Sequence, residues 1–509
     1  MNKNLTETQL DYARFLPALS GFYATFIGKQ RFGEYVEKAR IPSNLPDGVE
    51  SLNYLDPNAN FYYKWCLYSA GHAELDVNKD SPKEDMIRNR DRSSSWVLGD
   101  SGGFQIGKGV WEGDWKNPNC PKAQKKREDV LRWMDAYMDY GMILDIPAWV
   151  CRSPRGREAT GINSYEEAVQ GTYINNDYFI NNRTGACKFL NVLQGENHAE
   201  ADDWYERMKK YCDPVQYPGK HFNGWAMGGQ NMCDIHLALK RIVTLKFDGL
   251  LEEGVHDVMH FLGTSKLEWA CILTDIQRAV RKHHNPSFTI TFDCASPFLA
   301  TANGQIYTSV ETPHRGKWVY RMVPSIDNKA LATSTETWTS AASKHFKLWQ
   351  DSPITDGLLA RDICIYKPGD LNKIGKEGRT SWDSFSYALQ MGHNVWTHIN
   401  AVQEANRQYD SGSYPAMLVE EKFDRRAVRE IIDYILSIDD REVALRTIED
   451  HSTLWMAVVG TRGAVGKKTV NASSQFSALF DIVEEPSEHS EEFNEAEVEV
   501  LDKLESEQE

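Results

Sequence analysis

The chain has 509 residues, a net charge of −16, 41% hydrophobic residues and 9 cysteines. This length favours one large domain with an appended segment and provides for a sizeable core. No run of about 18 apolar residues occurs, which excludes a membrane-spanning helix, and no two cysteines form a CxxC pair, so the thiols read as reduced and mostly buried.

The opening string MNKNLTETQLDYARF has neither the basic nor the apolar region of a signal peptide, so a soluble, cytoplasmic protein is expected. Apolar, β-rich runs then recur in chain order: WCLYSA around Cys66, WVLG before Asp100, MILDIP around Asp145, FLNVLQ ending at Gln194, GWAMGG near Met227, VMHFLG ending at Gly263 and FTITF before Asp293. Stretches of helical period lie between them, among them 125–140, 199–211 and 265–283. This alternation predicts parallel β/α units, and the first expectation is an α/β fold of the (β/α)8 barrel type, its eighth strand not evident in the sequence. A doubly wound open sheet gives the same alternation and stays open at this point.

Further along, 305–379 is irregular, and GQIYTSVETPHRGKWVYRMVPS reads as a hairpin or an insertion. The segment 420–450 has strong helical character and is expected to pack on the barrel. The chain is therefore divided into a barrel over 1–410, a C-terminal helical subdomain over 411–483 and a tail over 484–509. That tail holds twelve acidic residues and one lysine, about −11 of the total charge, so the rest of the chain is only mildly acidic. Its low apolar content predicts a solvated, disordered segment. A sharper expectation is that it competes with substrate phosphates, so that removing it tightens nucleic-acid binding at low salt.

Two short strings carry the chemistry. Asp100 in LGDSGGFQ and Asp293 in TFDCASPFLATANGQIYT each close a β-rich run and open into small residues. A carboxylate is thereby placed at the carboxyl end of a strand, where barrel enzymes keep their chemistry. Two carboxylates suffice for exchange at a glycosidic bond, one attacking the anomeric carbon and the other moving protons. When the second nucleophile is a heterocyclic base rather than water, the outcome is base exchange. After Ser101, the glycines Gly102 and Gly103 let a flat base approach closely, and Phe104 offers an apolar or stacking face.

Together the two strings resemble the tRNA-guanine transglycosylase superfamily, whose members exchange guanine for a 7-deazaguanine base within a nucleic acid. The resemblance covers about 96–308. It implies a nucleophilic role for Asp293, a general acid/base role for Asp100, and base contacts from Ser101, Gly102, Gly103 and Phe104. It further implies base binding by Asp145 in ILDIPAW, reading of the base carbonyl by Gln194 in NVLQGE, and backbone donation by Gly228 and Gly229 in GWAMGGQ. Asp234 stands where the family often has a glutamate that steadies the adjacent peptide.

The chain departs from the family pattern in three places. Pro297, Phe298 and Leu299, then Ala302, Asn303 and Gly304, replace the PTR and RNG strings, so two phosphate-approaching arginines are absent. The CxCxxC cluster and later histidine of a structural zinc are reduced to Cys364 and His393, so no metal is expected. Gln230 and Asn231 replace the usual apolar pair near the seven position of the base. These departures make the chain most like the phage and bacterial DNA 7-deazaguanine transglycosylases, which modify DNA against restriction. The implied partners are DNA and a free base such as 7-cyano-7-deazaguanine, with no cofactor. Such a reaction requires an extruded or single-stranded target. The alternatives are a tRNA-modifying enzyme, a hydrolase that admits water to the same carboxylates, and an accessory nucleic-acid-binding subunit. A homodimer is compatible with the resemblance.

Contacts to the nucleic-acid backbone are expected from Arg152, Arg155 and Arg157 in CRSPRGRE. Lys122, Lys125, Lys126 and Arg127 form a second basic cluster, and His314, Arg315 and Lys317 a third; each reads equally as a solvated surface patch.

Overall fold

The computed structural model describes residues 1–33, 36–264, 266–365, 381–418 and 428–459. Eight parallel strands form its main sheet: β1 (Arg14–Pro17), β2 (Trp65–Ser69), β3 (Trp96–Asp100), β4 (Tyr140–Met142), β5 (Lys188–Leu193), β6 (Gly224–Met227), β7 (Val258–Phe261) and β8 (Thr289–Cys294). Their order is β1-β8-β7-β6-β5-β4-β3-β2. A bridge between Ala18 and Leu67, with Leu19 N–H donating to Leu67 O at 2.9 Å, draws β1 and β2 together. The sheet is thus a nearly closed (β/α)8 barrel with flanking helices, and the open-sheet alternative falls away.

The eighth strand is β1, the sequence RFLP. It has only four residues and ends in proline, which lacks an N–H and normally demotes a strand. Here Pro17 occupies the last register position, opposite Cys294, and the loss is confined to the strand end. A second difference concerns MILDIP. Only Tyr140–Met142 is strand, so Asp145 lies on the segment that follows β4 rather than within it.

The helices begin where their caps dictate. Pro121–Tyr137 starts with proline, whose missing N–H costs nothing in a first turn. His198–Met208 is capped by the Asn197 side chain, which accepts from Glu200 N–H, and Leu267–His283 ends in Arg281, Lys282 and His283, cations suited to a helix C-terminus.

After β8, the antiparallel hairpin β9 (Gln305–Glu311) and β10 (Val319–Pro324) interrupts the alternation. The barrel then resumes with the 27-residue helix Ser384–Asp410, capped by Asp383, which packs against β1 and Leu267–His283. Asp383 is also ion-paired, 2.8 Å away, to the buried Arg40. The helices Val428–Ser437 and Arg441–Asp450 pack on Leu267–His283 and Ile235–Phe247 respectively. The stretch 460–509, including the expected acidic tail, lies outside the described residues, as do 366–379 and 420–427 of the segments singled out above. Among the described residues no helix is long and apolar enough to cross a membrane.

Candidate active site

The carboxyl ends of the strands surround a cavity of about 300 Å³, at the small end of ligand pockets. Asp100, Asp145, Gln194 and Asp293 all line it, with Gly103, Phe104, Gly228 and Gly229. Four strands and the segment after β4 thus converge on one hollow, although 193 residues separate the two outermost carboxylates in sequence.

On the β7–β8 side, Asp293 Oδ1 accepts two hydrogen bonds, from Gly263 N–H at 2.8 Å and from His260 Nε2 at 3.1 Å. His260 is buried inside the barrel, and its Nδ1 lies 2.9 Å from Thr291 Oγ1. With Nε2 donating to the carboxylate and Nδ1 bonded to the threonine hydroxyl, the ring orientation is fixed from both sides. Asp293 Oδ2 has no hydrogen-bond partner among the described residues. One oxygen is therefore held and the other is presented to the cavity.

On the opposite side, Asp100 ends β3 directly across the register from Ser69 at the end of β2. Ser69 Oγ donates to Asp100 Oδ2 at 2.7 Å, and Gly102 N–H donates to Oδ1 at 3.3 Å. Part of the side chain meets the cavity, but protein surrounds it, and this desolvation raises its pKa above the ordinary aspartate value. The two donors oppose the rise, and the charge of Asp293 across the cavity adds to it. Asp145 is 5% exposed and accepts from Gln194 Nε2 at 2.7 Å. Burial pushes its carboxyl up to about 7, against the Gln194 hydrogen bond and with the charge of Asp100.

Backbone positions make this wall. At Gly103 a Cβ would lie 3.1 Å from both the carbonyl and the carboxylate oxygen of Asp145, so glycine is what allows the turn to rest against that side chain. Gly229 adopts φ 54°, where a Cβ would also meet Gly195 O at 2.3 Å. Asn231 Nδ2 donates to Gln194 O at 3.3 Å and Gly228 O at 3.1 Å, bracing the two segments that carry the pocket.

Several expected residues lie elsewhere or are already engaged. Ser101 is buried without lining the cavity, and Gly102 packs beneath Trp111. Gln230 turns its amide to Asp234 at 3.2 Å and does not line the cavity; Asp234 in turn accepts from His198 and caps the helix Ile235–Phe247. Gly228 N–H donates to Leu193 O at 2.8 Å, continuing the barrel ladder, so that amide is not available to a base. Arg152 is ion-paired to Glu196 and to Glu200, so its charge is compensated. Arg157 donates to Cys151 O at 3.0 Å, and Arg155 is exposed; none of the three lines the cavity.

The second basic cluster is split, because Arg127 is buried and donates to Asn175, while Lys122 and Lys125 pair with Glu112 and Asp129. In the third, His314 Nδ1 accepts from Tyr414 N–H. Cys364 donates to Ile326 O, and His393 bonds Ser352 Oγ and Tyr307 O. Among the described residues no group of three or more His, Cys, Asp or Glu is disposed to hold a metal ion.

Sequence reasoning missed Ser69, His260, Gly263 and Trp149. Their signal was present but faint: Ser69 and Gly263 stand at or just past strand ends, as Asp100 and Asp293 do, and Trp149 follows Asp145 by four residues. Trp149 faces Phe104 with ring centroids 6.0 Å apart, and both rings line the cavity. The site is that of a barrel with a divided carboxylate set at its mouth. Comparison of the sequence with protein-family models and with curated proteins finds no match.

Proposed function

We propose that the protein is a DNA-guanine transglycosylase, exchanging guanine in DNA for a 7-deazaguanine base such as 7-cyano-7-deazaguanine through a covalent glycosyl-aspartate. One observation carries this reading: a single small cavity receives an unpartnered oxygen of Asp293 on one side and the desolvated carboxyl of Asp100 on the other. Asp293 Oδ2 attacks C1′ of the deoxyribose, the bond from C1′ to the guanine nitrogen breaks, and guanine takes a proton from Asp100 as it leaves. The incoming base then gives its ring proton to the Asp100 carboxylate and attacks C1′, displacing Asp293. Two successive inversions give retention.

A raised carboxyl pKa suits a group that must hold a proton in one half-reaction and accept one in the other. Ionised Asp145 would accept the ring and exocyclic N–H groups of the base, and Gln194 has a second amide proton for the base carbonyl. Phe104 and Trp149 supply aromatic faces on the cavity wall. The DNA assignment rests on the missing PTR and RNG arginines, and the reading carries with it a cytoplasmic location.

The test offers labelled guanine and labelled 7-cyano-7-deazaguanine with duplex DNA, single-stranded DNA and tRNA separately. Label is expected in DNA alone. Label in tRNA alone reverses the substrate assignment, and abasic sites without incorporation replace exchange with hydrolysis. Covalent capture of DNA is expected with the intact protein and not with Asp293→Ala.

A further inference from the structure

A second hollow, of about 450 Å³, opens on the same face of the barrel, between the segment that follows β2 and the helix Pro121–Tyr137. It shares Gly71 with the base cavity, so the two are adjacent across one residue without a side chain. A Cβ on Gly71 would come 2.2 Å from Gln105 Nε2, and any side chain there would displace the Gln105 amide from the passage. Gln105 also lines the base cavity, and its buried Oε1 has no hydrogen-bond partner among the described residues.

The walls of the second hollow combine an aromatic plane with a cation. Trp111 is half-buried, and Lys126 Nζ lies 4.6 Å from the centre of its ring. Most other charges nearby are paired: Lys125 with Asp129 at 3.0 Å, Arg132 with Glu128, and Lys79 with Glu74 at 2.8 Å; the Asp76 carboxylate, also on the wall, accepts from Asn78 N–H at 3.0 Å. Lys126 has no ion-pair partner among the described residues. Partial burial lowers its pKa, with the charge of Asp129, which is itself paired to Lys125, opposing the shift and that of Lys125 adding to it.

A flat ring, a cation beside it that is in no ion pair among the described residues and an unsatisfied amide at the junction match one chemistry, a base linked to a phosphate. We infer that the second hollow holds the nucleotide adjacent to the target in the same DNA strand, with its base against Trp111, its phosphate at Lys126 and the connecting backbone passing Gln105 over Gly71. The inference rests on the exchange reaction proposed above only in that the target nucleotide occupies the first cavity. It also supplies a backbone contact beside the target, which Arg152, ion-paired to Glu196 and Glu200, does not.

The experiment measures binding of a labelled single-stranded oligodeoxynucleotide to the full chain, to Trp111→Ala, to Trp111→Phe and to Lys126→Gln across a salt series, with label incorporation followed in parallel. Trp111→Ala is expected to weaken binding about tenfold, about 1.4 kcal/mol, while Trp111→Phe retains most of the affinity. Lys126→Gln, a partly exposed change that leaves the fold intact, is expected to reduce the slope of log affinity against log salt by about 0.7.

Binding unchanged in every variant, with incorporation intact, overturns the second subsite and leaves the reaction standing. Trp111-dependent binding without incorporation of any base overturns the reaction and leaves the subsite. An oligoribonucleotide bound more tightly than DNA, with the same dependence on Trp111, overturns the assignment of a DNA strand, and failure of the intact chain to bind either polymer overturns both proposals.

Discussion

On the β7–β8 wall, Asp293 places one oxygen under two donors, Gly263 N–H and His260 Nε2, and leaves the other unpartnered toward the cavity. On the β3–β5 wall, Asp100 and Asp145 sit where burial outweighs the hydrogen bonds they receive, and both carboxyls are pushed up, Asp145 to about 7. The same side chain thus meets two different surroundings, which under the proposed reaction suit two duties. A held and half-free carboxylate is oriented for attack, while a desolvated one exchanges protons or takes donors from a ligand that replaces the missing water.

The largest expected effect separates the walls outright. Asp293→Ala should reduce exchange by about 10⁴-fold or more and abolish covalent capture, while the free base still binds the other wall. Loss of base binding in the same variant, followed by equilibrium dialysis, would break the division of labour.

Asp145→Asn tests the second wall from two directions. Removing the carboxylate should raise KM for the incoming base by about 10- to 100-fold, because charge-assisted hydrogen bonds are lost. In the unchanged protein, base affinity should rise with pH through about 7 as Asp145 ionises. Stability moves the other way. The folded pKa lies above the unfolded value of about 3.9, so the contribution of Asp145 to stability is full below that value and is lost as pH rises through about 7. At pH near 8, Asp145→Asn should therefore melt higher than the native chain, by about 2 °C or more, and the difference should vanish below pH near 4. A lower melting temperature at both pH values would show that the carboxylate is not held at a cost.

His260→Ala should lower kcat about tenfold with KM for the base unchanged, since it removes one of the two donors that hold Asp293 Oδ1 without touching the β3–β5 wall, and His260→Gln should recover part of the rate by restoring an N–H donor. A change confined to KM would remove His260 from its positioning role. Ser69→Ala is the mildest test. The Ser69 hydrogen bond lowers the Asp100 pKa, so its removal should shift the acidic limb of the pH profile for base incorporation upward.

Much of the barrel was legible in the sequence because its signals are local. Parallel strands buried on both faces read as short apolar runs, and the intervening helices show their period within a window of a dozen residues. The strand β1 was not legible, since RFLP is four residues long and closes on a proline, and only its neighbours β8 and β2 make it a strand. Asp145 shows the same limit within the site. Its string reads as strand, yet the strand ends at Met142 and its last hydrogen bond to β5 comes from Ile143 N–H, and Asp145 is held by Gln194, 49 residues later.

The sequence by itself determined the alternation of strands and helices and the presence of two carboxylates just where β-rich runs end, because both follow from residue order and backbone period. Only the tertiary structure decided that Asp100, Asp145, Gln194 and Asp293 share one hollow, that Ser69 bonds Asp100 and His260 bonds Asp293, and that Arg152 is ion-paired while Lys126 is not. Those are relations between distant segments. Hydrogen bonds, desolvation and ion pairing depend on distances of a few ångströms, which chain order does not encode until the barrel closes.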